Sequence, residues 1–132
     1  MGAAAIVLLR IDSTGTLVPP LPGRAEPDSP VGFVMANDHP TDDFKVEIDF
    51  DDIVAKQDKG TKRNPFKKGG PRFHRLSPRE IDLIDQETRP LAQFGSGAGL
   101  LPFTTYKYTV TVTNVTSGGT VVVDPDFDIP PP

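Results

Sequence analysis

The sequence predicts a mainly β chain, an antiparallel β-sandwich of about six or seven strands with one short helix and long loops. Three observations carry that expectation. Over Thr104–Thr113, Tyr106, Tyr108, Val110 and Val112 alternate with Lys107, Thr109, Thr111 and Thr113, a period of two that puts one face in a core and the other in water. Over Phe44–Asp51, Phe44, Val46, Ile48 and Phe50 alternate in the same way with Lys45, Glu47, Asp49 and Asp51. The apolar runs also stop at turn chemistry: Asp12-Ser13-Thr14-Gly15, Asn37-Asp38-His39-Pro40 and Asn114–Gly119.

The elements follow in order within a single domain, 1–132. Ala3–Ile11 is a near-continuous apolar run whose Ile6, Val7 and Ile11 favour a strand. Such a run suits either burial on both faces or an edge that a partner covers. The segment 16–30 carries Pro19, Pro20, Pro22, Pro27 and Pro30 and is expected to run extended over the surface as a connector, without regular pairing. Val31–Ala36 is a short strand.

Ser77-Pro78-Arg79-Glu80 has the form of a capping box with proline at the first helical position, and Leu76 and Ile81 stand where a hydrophobic staple would. With Ile81 and Ile84 three apart, the spacing predicts a helix over about 78–88, stopped by Pro90. Gly95-Ser96-Gly97-Ala98-Gly99 is a flexible lead into the long strand, and Thr120–Val123 completes a hairpin with it. In the Pro-rich tail 125–132, Phe127 and Ile129 can pair briefly on one face before Pro130–Pro132 end any strand.

Composition narrows the chemistry. There is no cysteine, which removes disulfides, thiolate nucleophiles and cysteine-ligated metals. Two histidines, His39 and His74, leave little for metal binding or acid–base work, and no cofactor is expected. A net charge of -4 favours solubility and argues against the whole surface binding nucleic acid. The apolar run Ala3–Leu9 is short, lacks a basic flank before it and ends at Arg10, so no signal peptide and no membrane span is expected, and the location expected is cytoplasmic. The members of a Ser–His–Asp triad meet only in space, and neither histidine sits in a motif that would announce one. The expectation is a non-enzymatic protein.

Charge is arranged in two blocks. Residues 56–75 carry eight cations (Lys56, Lys59, Lys62, Arg63, Lys67, Lys68, Arg72, Arg75) against one acid, Asp58. The plain expectation for this basic loop is a solvated segment that balances the acidic stretch before it; interleaved with Phe66, Phe73 and His74, it also has the composition for phosphate neutralisation and base stacking, or for a protein contact. Ahead of it run the acids Glu47, Asp49, Asp51 and Asp52, with Glu47, Asp49 and Asp51 aimed at one wet face. The blocks complement each other, either within the chain or head to tail between copies. Asp124, Asp126 and Asp128 have calcium-like spacing, yet Pro125 and the lack of a downstream glutamate depart from an EF-hand loop, and no metal is assigned to them.

The terminal pattern Tyr106-x-Tyr108-x-Val110-x-Val112, followed by Thr120-Val121-Val122-Val123-Asp124-Pro125-Asp126, resembles the C-terminal hairpin of small bacterial cupredoxin-like (Ig-like) β-sandwich proteins that lack the copper ligands. The resemblance implies a fold and no activity, since the copper branch needs a cysteine ligand that is absent here. The expected function is protein binding or service as a structural subunit, through the Pro-rich arms and charge blocks, with self-association or a larger assembly as partner. The alternative is nucleic-acid or polyanion binding through 56–75.

Overall fold

A computed structural model of the chain describes residues 5–50, 65–68, 72–90 and 104–129. These residues form ten strands and no helix: β1 (Ala5–Ile11), β2 (Gly23–Arg24), β3 (Pro30–Asn37), β4 (Phe44–Asp49), β5 (Phe73–Leu76), β6 (Ile81–Glu87), β7 (Thr104–Lys107), β8 (Thr109–Asn114), β9 (Thr120–Val123) and β10 (Asp126–Ile129). They build three sheets, ordered β1-β3-β6, β2-β10-β7 and β5-β4-β8-β9. The pairing is not purely antiparallel as expected, because β1 runs parallel to β3 and β2 parallel to β10. Long connections such as 12–29 make parallel pairing possible, which a two-residue turn cannot.

The expected helix over 78–88 is instead a turn followed by β6. The Glu80 N–H donates to the Ser77 carbonyl (3.1 Å), with Pro78 second in the turn and Arg79 third at φ 61°. That is the pattern of a type II turn, which asks for proline and then a positive φ. The capping-box reach survives inside it, since the Ser77 N–H donates to Glu80 Oε1 at 2.7 Å. The same local bond thus serves a tight turn, and long-range pairing of β6 with β3 (Ile84 opposite Phe33) decides for strand. Ile81 and Ile84, placed on one helical face by their spacing, fall on opposite faces of the strand: Ile81 is exposed and Ile84 half-buried against the core.

The long strand predicted over Thr104–Thr113 breaks at Tyr108 into β7 and β8, which belong to different sheets. Its hairpin partner breaks at the same level, at Asp124-Pro125, between β9 and β10. The Tyr108 N–H donates to the Pro125 carbonyl (3.1 Å) and holds the two breaks together. One hairpin therefore turns a corner, with β8–β9 in one sheet and β7–β10 in the other, which is how strands switch sheets in orthogonal β packing. Alternation persists across the corner, so Tyr106, Tyr108, Val110 and Val112 are all buried.

Five aromatic rings from different parts of the chain meet inside: Phe33, Phe50, Phe66, Tyr108 and Phe127, all with essentially no exposure. Phe50 stacks on Tyr108 (centroids 4.4 Å, planes 13° apart), and Phe66 meets Phe50, Phe127 and Phe33 edge-on at 5.0, 5.4 and 5.6 Å. Each such pair adds about 0.5–1.5 kcal/mol to what area burial contributes. The Pro-rich segment also joins the body. Leu17, Ala25 and Ser29 are buried, and Gly23 lets β2 lie against the Phe127 ring, where a Cβ would come within 2.5 Å of a ring carbon. Nearby, the buried Thr88 hydroxyl donates to the Glu26 carbonyl (2.7 Å) and accepts from the Ser29 N–H (2.8 Å).

The turn makes a prediction opposite to the helix. Arg79→Gly should raise stability by about 1 kcal/mol in urea denaturation, because glycine takes a positive φ without steric cost, whereas in a helix it would lower stability by a similar amount. A second concerns Tyr108, whose hydroxyl is buried without a hydrogen-bond partner among the described residues. Burial, with the nearby Asp126 charge adding to it, pushes the phenol above its ordinary value of 10.0. The folded protein thus keeps this proton to higher pH than the unfolded chain, and stability must fall as pH rises past about 10. Tyr108→Phe should leave stability at pH 7 unchanged or raise it by up to about 1 kcal/mol, and flatten the alkaline loss. Denaturation at pH 7 and at pH 10.5 checks both; a loss at neutral pH would mean that the hydroxyl is satisfied.

Candidate interaction surfaces

Of the residues singled out in the basic loop, Lys59, Lys62 and Arg63 lie outside the described residues, as do Asp51 and Asp52 of the acidic block. Phe66 is a core residue, fully buried among Phe33, Phe50 and Phe127, and offers no ring for stacking on a ligand. Lys67 reaches back to Asp28 (2.7 Å) and Glu87 (3.2 Å). These two hydrogen bonds, that to Asp28 first, hold the ammonium above its ordinary value, and the Lys67 bond holds the Asp28 carboxyl below its own. Lys68 is exposed beside it. Arg72 stands 4.0 Å from Asp49, Arg75 3.1 Å from Asp43, and Lys45 2.9 Å from Glu47. All are solvent-accessible pairs of modest energetic weight, but they set Lys45, Lys67, Arg72 and Arg75 against carboxylates of the same chain.

The outer face of the β5-β4-β8-β9 sheet is polar and mixed. Lys45, Glu47 and Asp49 of β4 lie between Arg75 and Phe73 of β5 and Thr113, Thr111 and Thr109 of β8. Lys45 Nζ sits 5.5 Å from the centre of the exposed Phe73 ring, and Thr113 and Thr120 hydroxyls meet at 3.3 Å. Alternation in the sequence makes this face wet, and cross-strand pairing makes it self-satisfied.

The outer face of the β1-β3-β6 sheet is of a different character. Registers align three rows across β1, β3 and β6: Ile6, Gly32, Asp85; Leu8, Val34, Leu83; Arg10, Ala36, Ile81. Ile6, Leu8, Ile81 and Leu83 are 64%, 51%, 69% and 52% exposed, while their strand neighbours Val7, Leu9, Phe33 and Met35 are buried on the other side. A Cβ on Gly32 would come within 3.0 Å of Leu83 Cδ1 and 3.2 Å of Ile6 Cδ1, so those side chains lean together over the middle strand and make one continuous apolar surface. The run Ala3–Ile11 hinted at it, being apolar on both faces. The helix expected over 78–88 hid the other half, because Ile81 and Leu83 share a face only in a strand.

Two histidines sit beside carboxylates. His39 Nδ1 accepts from the Asp42 N–H (2.9 Å) and Thr41 N–H (3.2 Å), with Nε2 3.7 Å from Asp42 Oδ2. The Asp42 carboxyl is held below its ordinary value mainly by a hydrogen bond from Asn114, with Thr41 adding to it. His74 of β5 meets Asp82 of β6 and so links two sheets. Both arrangements tie strand ends together. Asp126 sits 2.9 Å from Lys107, and Asp124 accepts from the Thr109 hydroxyl (3.0 Å). No group of three or more His, Asp or Glu side chains suited to a metal comes together among the described residues, those two aspartates and Asp128 included. No helix among those residues is long and apolar enough to cross a membrane. No protein-family model, curated protein or solved structure matches the chain.

Phe66→Ala separates core from contact roles. Removing a buried ring from this cluster should cost about 3–5 kcal/mol of unfolding free energy, read by urea denaturation. A change below about 1 kcal/mol would place Phe66 at a surface after all.

Proposed function

We propose that this chain is a non-enzymatic protein-binding module, a structural or assembly subunit on a β-sandwich framework. The observation that carries the reading is the continuous apolar outer face of β1-β3-β6, formed by Ile6, Leu8, Val34, Leu83 and Ile81. Scattered exposed aliphatics are ordinary on soluble domains, but a contiguous patch rimmed by charge marks an interaction surface. Arg10 and Asp85 supply that rim on the same face. Leu21, 82% exposed in the Pro-rich segment, offers a further apolar contact. Of the basic block, Lys67, Arg72 and Arg75 face carboxylates of their own chain, which leaves them less to offer a polyanion. Nucleic-acid or polyanion binding through 56–75 stays the alternative.

Carbene footprinting of the chain in its cellular assembly, fixed by cross-linking in cells, tests the proposal. Ile6, Leu8, Ile81 and Leu83 should be labelled several-fold less in the assembly than in the dilute purified chain. Equal labelling in both states would refute it.

A further inference from the structure

β9 is an edge strand with β8 on one side only, in the order β5-β4-β8-β9. Which of its backbone groups face outward follows from the ladder. The Asn114 N–H donates to the Gly119 carbonyl (3.0 Å) and the Tyr108 N–H to the Pro125 carbonyl (3.1 Å), so these opposed pairs are hydrogen-bonded ones. Bonded and non-bonded pairs alternate along an antiparallel ladder. Val112–Val121 and Val110–Val123 are therefore bonded, while Thr113–Thr120 and Thr111–Val122 are not. The N–H and C=O groups of Thr120 and Val122 thus point away from β8, and among the described residues no backbone group meets them. From this edge we infer a second interaction surface, separate from the β1-β3-β6 face: β9 pairs antiparallel with β9 of a second copy of this chain, joining two four-stranded sheets into one.

Other edges are stopped by their own chain. At β6 the Leu83 N–H is taken by the Asp82 carboxylate (2.8 Å) and the Glu87 carbonyl by the Lys67 N–H (2.9 Å). At β1 the Arg10 carbonyl accepts from the Val18 N–H (2.8 Å). Thr120–Val123 has no charge, no proline and no bulge, the devices that keep an edge from pairing. Its side chains select the occupant. Val121, on the core side of the sheet, is 50% exposed, and Val122, on the outer side, is 57% exposed. The strand that covers them must be apolar on both faces and have a free edge of its own, and β9 meets both conditions.

Three antiparallel registers bring the outward groups together. Centred on Thr120, the pairing leaves Val121 against Gly119 of the second copy. Centred on Val122, it needs the Asp124 backbone, whose carbonyl already accepts from Lys107 Nζ (3.3 Å) beside the corner where the chain leaves the sheet. Centred on Val121, Thr120 bonds to Val122 of the second copy and Val122 to its Thr120, four backbone bonds in all. Val121 then meets its own equivalent on a two-fold axis. Val123 and Asp124 come alongside Gly119 and Gly118 of the other copy, where nothing lies within 4 Å of a Cβ position. The two Asp124 carboxylates stay about 20 Å apart. A strand of four residues makes a small contact, so the dimer is weak and reversible, with dissociation in the range of about 0.1–1 mM.

Sedimentation equilibrium of the full chain from about 10 µM to 2 mM is the test, with amide exchange by NMR over the same range. The Thr120 and Val122 amides should exchange several-fold more slowly at the high concentration, while those of Val121 and Val123, already bonded to β8, stay unchanged. Val122→Pro removes an outward N–H without touching the β8 ladder, a position where an edge strand tolerates proline, and should weaken dimerisation more than tenfold. Val121→Lys and Val121→Glu, which set like charges on the axis, should each do the same. An equimolar mixture of those two should associate to within about threefold of the parent, because only a register centred on Val121 sets the two changes opposite each other. Circular dichroism checks folding, and if Val122→Pro does not fold, the Val121 pair decides. A parent monomeric at 2 mM overturns the inference, as does a dimer indifferent to these changes or a mixture that fails to associate. None of these outcomes touches the β1-β3-β6 face, whose footprinting is a separate measurement.

Discussion

The interlock of Phe33, Phe50, Phe66, Tyr108 and Phe127 is the constraint on which the other features depend. Those rings come from β3, the end of β4, the 65–68 segment, the corner between β7 and β8, and β10, so one cluster pins all three sheets to each other. Edge-to-face and stacked contacts are directional, and they fix the relative orientation of the sheets more tightly than aliphatic burial would. The corner at Tyr108 follows from this. On one side of it β8 pairs with β4, on the other β7 pairs with β10, and Tyr106 and Tyr108 are both buried there.

Fixing the sheets by their inner faces leaves their outer faces to chemistry. On the β4 sheet, side chains of opposite charge answer each other across strands, as Arg72 answers Asp49 and Arg75 answers Asp43. On the β3 sheet nothing of that kind happens in the middle rows, where leucine, valine and isoleucine meet water. The two outer faces thus differ in degree: on the first, charged side chains answer each other around the exposed Phe73 and Val122, and the second, apolar across its middle row, gains more by being covered.

Much of this was legible in the amino-acid order. The alternation over Phe44–Phe50 and Thr109–Thr113 led directly to β4 and β8, and Asn114–Gly119 to the turn between β8 and β9, where the Asn114 side chain accepts from Thr116 and Ser117 N–H groups. The candidate surface was legible only by halves. Ile6 and Leu8 stood in the near-continuous apolar run Ala3–Ile11, which suited burial on both faces or an edge that a partner covers, while Ile81 and Leu83 were disguised by a genuine local signal. Ser77-Pro78-Arg79-Glu80 makes the same side-chain-to-backbone bond in a type II turn that it would make in a capping box, so four residues cannot tell the two apart.

Local order sets period, turn positions and the pool of apolar side chains, because these depend on backbone sterics and on hydration of each residue in turn. Tertiary structure alone decided that 81–87 is a strand, that Phe66 leaves a cationic stretch for the core, and that Arg10 and Asp85, far apart in the chain, share one face. The reason is physical: strand pairing is a long-range hydrogen-bonded contact, and its register, not the composition of either partner, determines which side chains become neighbours.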